Sequence, residues 1–334
     1  MGCLFSVGIT GMGSYVPDTV LTNEDLTKIV ETSDEWIRSR SGIGARHKAR
    51  EDQVTSDIGA EAARKALKNA NTHPEEVELI INGLVSPDML MPSTACFIQE
   101  KIGAKNAAAF DLFAGCTGFV YSLIVAKNLV ATGAYKKVLV VGADLLTKLL
   151  DWQDRNTCVL FGDGGGAAVV EPVEEGYGFG PSTISADGTG TGFIELPAGS
   201  TYMPASPETL KNRMHYIKMK GREVFKFAVS VCAETINRLS DQTGISPQDV
   251  DLIIPHQANN RIIDSAAKRL KISSDKFYTN LESYGNTSAG SIPLAMVDAL
   301  NEGKIKKGDN IFLVGFGAGL TWGGIAMKWA YDPK

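Results

Sequence analysis

Three side chains of types that do covalent chemistry stand out in this 334-residue chain. Cys116 lies in Phe110-Asp111-Leu112-Phe113-Ala114-Gly115-Cys116-Thr117-Gly118-Phe119, where a strand pattern gives way to small residues and a helix begins at the cysteine. Helix N-termini carry unpaired N–H groups and the positive end of a dipole, and both favour thiolate, the nucleophilic form. The competing reading is a buried structural thiol. For Cys3, Cys96, Cys158 and Cys232, which sit within apolar patterns, the structural reading holds. His256 ends a strand pattern in Ile254-Pro255-His256-Gln257-Ala258-Asn259, ahead of small and polar residues. His47, His73 and His215 lie in polar stretches without such a frame. Asn286, in Ser283-Tyr284-Gly285-Asn286-Thr287-Ser288-Ala289-Gly290, reads first as a turn or helix cap.

The elements that must position these residues are written twice. His73-Pro74-Glu75-Glu76-Val77-Glu78-Leu79-Ile80-Ile81 resembles Ser246-Pro247-Gln248-Asp249-Val250-Asp251-Leu252-Ile253-Ile254, and each copy follows a helical pattern, 56–69 and 224–243. Downstream, strand 108–113, helix 118–132 and strand 137–142 correspond to strand 276–280, helix 288–301 and strand 310–315. Thirty-six positions separate Ile80 from Cys116, and thirty-three separate Ile253 from Asn286. Cys116 and Asn286 thus occupy equivalent points, each ahead of a helix. Strands alternating with helices predict an α/β protein of parallel sheets covered on both faces, with site residues gathered at the strand ends. The boundary falls near Glu171-Pro172, giving halves 1–172 and 173–334, the first with Cys116 and the second with His256 and Asn286. Segments 23–50 and 187–220 have no counterpart and read as insertions that carry substrate contacts.

The glycine runs Gly162-Asp163-Gly164-Gly165-Gly166 and Gly315-Phe316-Gly317-Ala318-Gly319 lead into further strands rather than helices, so they read as tight hairpins and not as nucleotide loops. The second can turn backbone N–H groups toward an oxyanion. Residues 4–10 read as a first strand followed by a turn at 11–13; Met1 to Ser6 also fit a short acylation pattern, which matches often by chance. Composition is that of an ordinary globular protein, with 44% hydrophobic and 21% charged residues. A net charge of −5 gives no footprint for nucleic acid. No apolar run is long enough to span a bilayer, no cysteine spacing suggests a metal site, and scattered cysteines fit the cytoplasm.

Taken together, Ala114 to Phe119, His256-Gln257-Ala258-Asn259, Tyr284 to Ser288 and Gly315-Phe316-Gly317-Ala318-Gly319-Leu320-Thr321-Trp322-Gly323 make the chain resemble the β-ketoacyl-acyl carrier protein synthase III enzymes of the thiolase superfamily, over essentially its whole length. The resemblance implies a thiolase-like fold of five layers, α-β-α-β-α. It implies a homodimer, a coenzyme A thioester as substrate and no cofactor. It also implies a ping-pong condensation in which Cys116 takes an acyl group, typically acetyl, from acyl-CoA and malonyl-acyl carrier protein then loses carbon dioxide. His256 and Asn286 would donate to the enolate, and the N–H groups of Cys116 and Ala318 would hold the acyl oxygen, with the helix rather than His256 activating the thiol.

The segment Thr32-Ser33-Asp34-Glu35-Trp36-Ile37-Arg38-Ser39-Arg40 matches the part that holds coenzyme A. There Trp36 would stack on adenine opposite Arg155, and Arg40 would contact phosphate. Asn259 and Gly221 would line the pantetheine tunnel with Phe316. Gln257, Ala258, Asn259, Asn260 and Arg261, with Lys226, Lys268 and Arg269, would dock the acidic carrier protein; these residues fit a solvated face equally well. Gly115, Phe113, Ala318 and Asn260 depart from forms common in the family, and Phe113 with Met91 would reshape the acyl pocket. Primer length and branching stay open, as does a specialised lipid or polyketide pathway. A degradative thiolase is disfavoured because no cysteine follows Cys232. Retention of all three reactive groups disfavours a non-catalytic binding module.

Overall fold

The computed structural model describes residues 5–331; Cys3 lies outside them, and the 4–10 strand pattern and the Met1 to Ser6 acylation pattern lie partly outside them. The first half runs β1 (Val7–Tyr15), β2 (Thr19–Thr22), α1 (Asn23–Thr27), α2 (Asp34–Ser41), β3 (Ala45–Lys48), α3 (Thr55–Asn69), β4 (Leu79–Gly83), α4 (Thr94–Ile102), β5 (Ala108–Leu112), α5 (Gly118–Ala131), β6 (Val138–Leu145), α6 (Arg155–Cys158) and β7 (Asp163–Pro172). The second runs β8 (Gly178–Ala186), β9 (Ile194–Glu195), α7 (Pro207–Lys211), β10 (Lys218–Met219), α8 (Gly221–Thr243), β11 (Leu252–Pro255), α9 (Asn260–Leu270), α10 (Leu281–Tyr284), α11 (Ser291–Asn301), β12 (Asn310–Gly317) and β13 (Thr321–Lys328).

One sheet has the order β1-β7-β6-β4-β5 and the other β11-β12-β13-β8. An isolated parallel bridge from Ile253 to Phe277 supplies the missing fifth position, so the second sheet repeats the order of the first. The buried runs of β4, β6 and β11 are continuous rather than alternating, as strands covered on both faces require. α5 and α11 lie between the sheets, where Phe119, Leu123, Ile292 and Met296 share one core with both. α3 and α4 cover the outer face of the first sheet, and α8 and α9 that of the second. The layers are therefore α-β-α-β-α. A fourth cluster joins the two insertions, with Leu26, Ile37 and Ile43 packed near Leu146, Leu150 and Ile217.

Several sequence expectations are corrected. The sheets are mixed: β4 pairs in parallel with β5 and β6, but β7 is antiparallel to β6 and β1. Likewise β12 and β13 are antiparallel, because a link of only residues 318–320 can reverse the chain but not cross it over. β1 runs through Gly11 and Gly13 to Tyr15 instead of turning there. A Cβ at either glycine would meet α3 backbone at 2.4 Å, so their absence lets helix and strand touch. Gly164, Gly165 and Gly166 are inside β7 rather than at a hairpin, and a Cβ on Gly166 would strike Pro293 of α11 at 2.6 Å. Residues 276–280 form a bridge and not a strand, and 288–290 form a 3₁₀ turn ahead of α11.

Candidate active site

Cys116 stands on a tight turn between β5 and α5, two residues before the first helical one, rather than at the helix start itself. The N–H of Thr117 donates to Ala114 O at 3.1 Å and that of Gly118 to Gly115 O at 3.1 Å. Gly115 has φ +58°, and a Cβ there would lie 2.5 Å from Ala318 O, so glycine fits on both counts. The link after β12 passes so close that a Cβ on Gly317 would come within 2.6 Å of the Cys116 nitrogen. Thr321 Oγ1 fastens the two loops, lying 2.8 Å from Ala114 O, 2.9 Å from Ala318 O and 2.6 Å from Thr117 Oγ1.

Burial pushes the Cys116 thiol up to about 11; the N–H groups of Ala318 and Cys116, directed at the sulfur, pull the other way. The expectation that the helix end lowers this thiol is thus overruled in the resting enzyme, where desolvation is the larger effect. The Ser288 hydroxyl faces both the sulfur and the buried Asp144 carboxylate, without settled hydrogen-bond geometry to either. Asp144 in turn accepts the N–H groups of Val85 and Ser86 at 2.8 Å and the Ser86 hydroxyl at 2.7 Å. Its own pKa is raised by burial.

His256 follows β11, and its N–H donates to Val314 O at 2.8 Å. Only 2% of the residue is exposed. Nδ1 lies 2.7 Å from Ser291 Oγ, and the ring meets Phe316 edge-on, with centroids 5.3 Å apart. Burial pushes its pKa down to about 3, so the imidazole is neutral near pH 7. Asn286 is held by backbone bonds on both sides, from its N–H to Leu160 O at 2.9 Å and from the Gly162 N–H to its carbonyl at 3.0 Å. Its Oδ1 accepts the Ser288 N–H at 2.9 Å, leaving the amide NH₂ as the uncommitted end.

A cavity of about 410 Å³ joins Cys116, His256, Asn286 and Phe316 to Trp36, Arg40, Gly221, Ala258 and Asn259. The guanidinium groups of Arg155 and Arg40 lie 5.0 and 5.8 Å from the Trp36 ring centre, and the Asn259 amide donates to Arg40 O at 2.9 Å. Arg155 lies beside this wall without lining it, and Thr32 is half-buried and not part of the lining, its hydroxyl without a partner among the described residues. Met91 is not brought here: it is 83% exposed on the loop between β4 and α4. Gln257 is also corrected, because it is buried and its side chain is spent on Pro255 O, Tyr278 O and the Asn280 N–H. Lys226, Arg261, Lys268 and Arg269 are exposed on packed helices α8 and α9, whereas Asn260 is half-buried against Gly42. Arg269 is partly neutralised by Glu234 at 3.6 Å.

Sequence reasoning passed over Ser288, Ser291, Asp144 and Arg222, the last an exposed cation on the cavity wall. Asp144 did carry a signal, a carboxylate at the end of the continuous apolar run Val138 to Ala143.

The family models for 3-oxoacyl-[acyl-carrier-protein] synthase III match residues 110–188, and for its C-terminal part residues 240–329. The β-ketoacyl-[acyl-carrier-protein] synthase III of Caldanaerobacter subterraneus is 53% identical over 97% of this chain and 98% of its own length. The chain belongs to the β-ketoacyl-[acyl-carrier-protein] synthase III family. The namesake from Clostridium acetobutylicum is 51% identical over 97% of the chain and 99% of its own. Among solved structures, the synthase III of Aquifex aeolicus VF5 superposes with a TM-score of 0.89 at 43% identity, covering 97% of this chain and 100% of that one. The priming β-ketosynthase of the R1128 polyketide pathway gives 0.92 at 32% identity, covering 100% and 99%. The synthase III family is one of acyl-transferring condensing enzymes, and this chain is a fatty-acid-building member of it rather than a degradative thiolase.

Proposed function

We propose that Cys116 carries the acyl group between two half-reactions, from acyl-CoA to the enolate of malonyl-acyl carrier protein. The observation that supports this most is the convergence of Cys116, His256 and the free amide of Asn286 on one cavity walled by Trp36 and Arg40. In the first half, the Cys116 sulfur attacks the thioester carbonyl, and coenzyme A leaves with the thiol proton. The N–H groups of Cys116 and Ala318 receive the oxyanion of the tetrahedral intermediate. In the second, the bond between the malonyl carboxylate and its α-carbon breaks and carbon dioxide departs. The electron pair moves to the thioester oxygen, which accepts hydrogen bonds from His256 and Asn286. The enolate carbon then attacks acyl-Cys116, the carbon–sulfur bond breaks as the 3-oxoacyl product forms, and the departing Cys116 thiolate takes a proton from water to restore the thiol. A neutral His256 suits this role, since it has a proton to donate and no charge to lose.

Trp36 and Arg155 offer a stacking slot for adenine, and Arg40 a phosphate contact. The exposed Lys226, Arg261 and Lys268 offer positive charge beside the mouth to an acidic carrier protein, with no bound cofactor in the scheme. A homodimer is part of the proposal. β5 is an edge strand, paired with β4 on one side and with no strand of the described residues on the other, and Met89, Leu90, Met91, Phe110 and Phe113 expose apolar surface around it, a liability that pairing with a second copy removes. Met91 would then face the partner. A cytoplasmic location accords with the absence, among the described residues, of a helix long and apolar enough to cross a membrane. The test is turnover with acyl-CoA and malonyl-carrier protein. One coenzyme A, one carbon dioxide and one 3-oxoacyl-carrier protein are expected per cycle; product without carbon dioxide release would exclude the scheme.

A further inference from the structure

The imidazole of His256 can be neutral in two ways, and only one leaves a proton facing the cavity. Its Nδ1 lies 2.7 Å from Ser291 Oγ, which also accepts the Gln257 N–H at 3.2 Å. Ser291 is 2% exposed and does not line the cavity, so water does not complete its bonds, whereas the His256 ring does line the cavity. A serine oxygen has one proton and two lone pairs. If Nδ1 carried the ring proton, Ser291 Oγ would accept twice, and its own proton would have no acceptor among the described residues. If Ser291 donates to Nδ1, its Oγ is fully used, accepting from Gln257 and donating to His256, and the ring proton sits on Nε2, on the side of the ring that lines the cavity, where solvent or substrate can accept it. A buried polar proton without a partner is costly, so the second arrangement prevails.

Ser291 is well held for this task. It opens α11 directly after the 288–290 turn, and that turn is pressed so closely on β7 that a Cβ on Gly290 would lie 2.5 Å from Gly164 O. The ring is held against Phe316, and Nε2 has no hydrogen-bond partner among the described residues. We propose that Ser291 is a positioning residue that fixes His256 as the Nε2–H tautomer, the form that donates to the enolate oxygen during decarboxylation. This rests on the role given to His256 above, and it deepens that role by naming what aims the proton.

Nitrogen NMR of protein labelled at histidine reads the tautomer directly, with His256→Gln assigning the signal. The wild type should show protonated Nε2 and bare Nδ1 through neutral pH. Ser291→Ala should lose that preference and decarboxylate malonyl-carrier protein about 10- to 100-fold more slowly, the usual effect of removing a partner that orients a histidine. Acyl transfer to Cys116 should stay within about twofold, because the tautomer acts only in the second half-reaction. Ser291→Thr, which keeps the hydroxyl, should keep both the tautomer and the rate. A wild-type ring protonated on Nδ1, or a Ser291→Ala enzyme with unchanged tautomer and decarboxylation, overturns the proposal. Should Ser291→Ala fail to fold, the wild-type spectrum and Ser291→Thr still decide. A wild type with the expected tautomer but no decarboxylation would instead sink the functional reading and leave the tautomer assignment standing.

Discussion

Replacing Asn286 by aspartate separates the two half-reactions most cleanly. The side chain now spends Oδ1 on the Ser288 N–H at 2.9 Å and has only its NH₂ free. An aspartate of the same shape keeps that acceptor, so the turn that leads to α11 is not disturbed; alanine would orphan the Ser288 N–H and confuse the result. What changes is the other arm, from a donor to a negatively charged acceptor facing the oxygen where the enolate charge develops. Removing one such donor costs about 3–4 kcal/mol, or roughly 10²–10³ in rate, and the added repulsion pushes toward the upper end. Cys116 acylation uses the N–H groups of Cys116 and Ala318 and should fall by less than about threefold. The assay is paired: release of labelled carbon dioxide from malonyl-carrier protein, and mass of the Cys116 peptide after acyl-CoA alone. Equal loss in both, or decarboxylation within about tenfold of wild type, would refute the division of labour.

Three further outcomes follow from the same geometry. Because burial holds the Cys116 thiol near 11, its alkylation by iodoacetamide in the substrate-free enzyme should rise about tenfold per pH unit between roughly pH 6 and 9; a plateau below pH 8 would mean that the helix end outweighs desolvation. Gly317→Ala would put a Cβ 2.6 Å from the Cys116 nitrogen, costing about 1–3 kcal/mol in chemical denaturation and slowing acyl transfer by displacing the nucleophile. Trp36→Ala should raise the KM for acyl-CoA by roughly 5- to 100-fold, the worth of one stacked base. It should leave malonyl-carrier decarboxylation unchanged in the same kinetic series.

The duplicated scaffold was legible because Leu79 to Ile81 and Leu252 to Ile254 are continuous apolar runs, each preceded by the same valine and acidic residue, and burial on both faces demands such runs. Strand direction was not legible. Nothing in the composition of Asp163 to Pro172 says antiparallel, and β7 is placed by the packing of its glycines against α11. The cavity residues Cys116, His256 and Asn286 were readable from their place at element ends. Their environment was not. The high thiol pKa depends on how much chain closes over Cys116, and Ser291 looks like any serine in a helical pattern until folding sets it 2.7 Å from His256. Gln257 misled for the same reason: polar in type, it is consumed by three internal hydrogen bonds.

The central claim is that Cys116 itself holds the acyl group. Mixing the enzyme with acyl-CoA in the absence of malonyl-carrier protein, quenching in acid and mapping peptides by mass spectrometry tests it directly. One acyl group should sit on the peptide bearing Cys116, with free coenzyme A released in equal amount, and Cys116→Ala should carry none. Acyl mass on any other residue, or labelling that survives Cys116→Ala, would contradict the account.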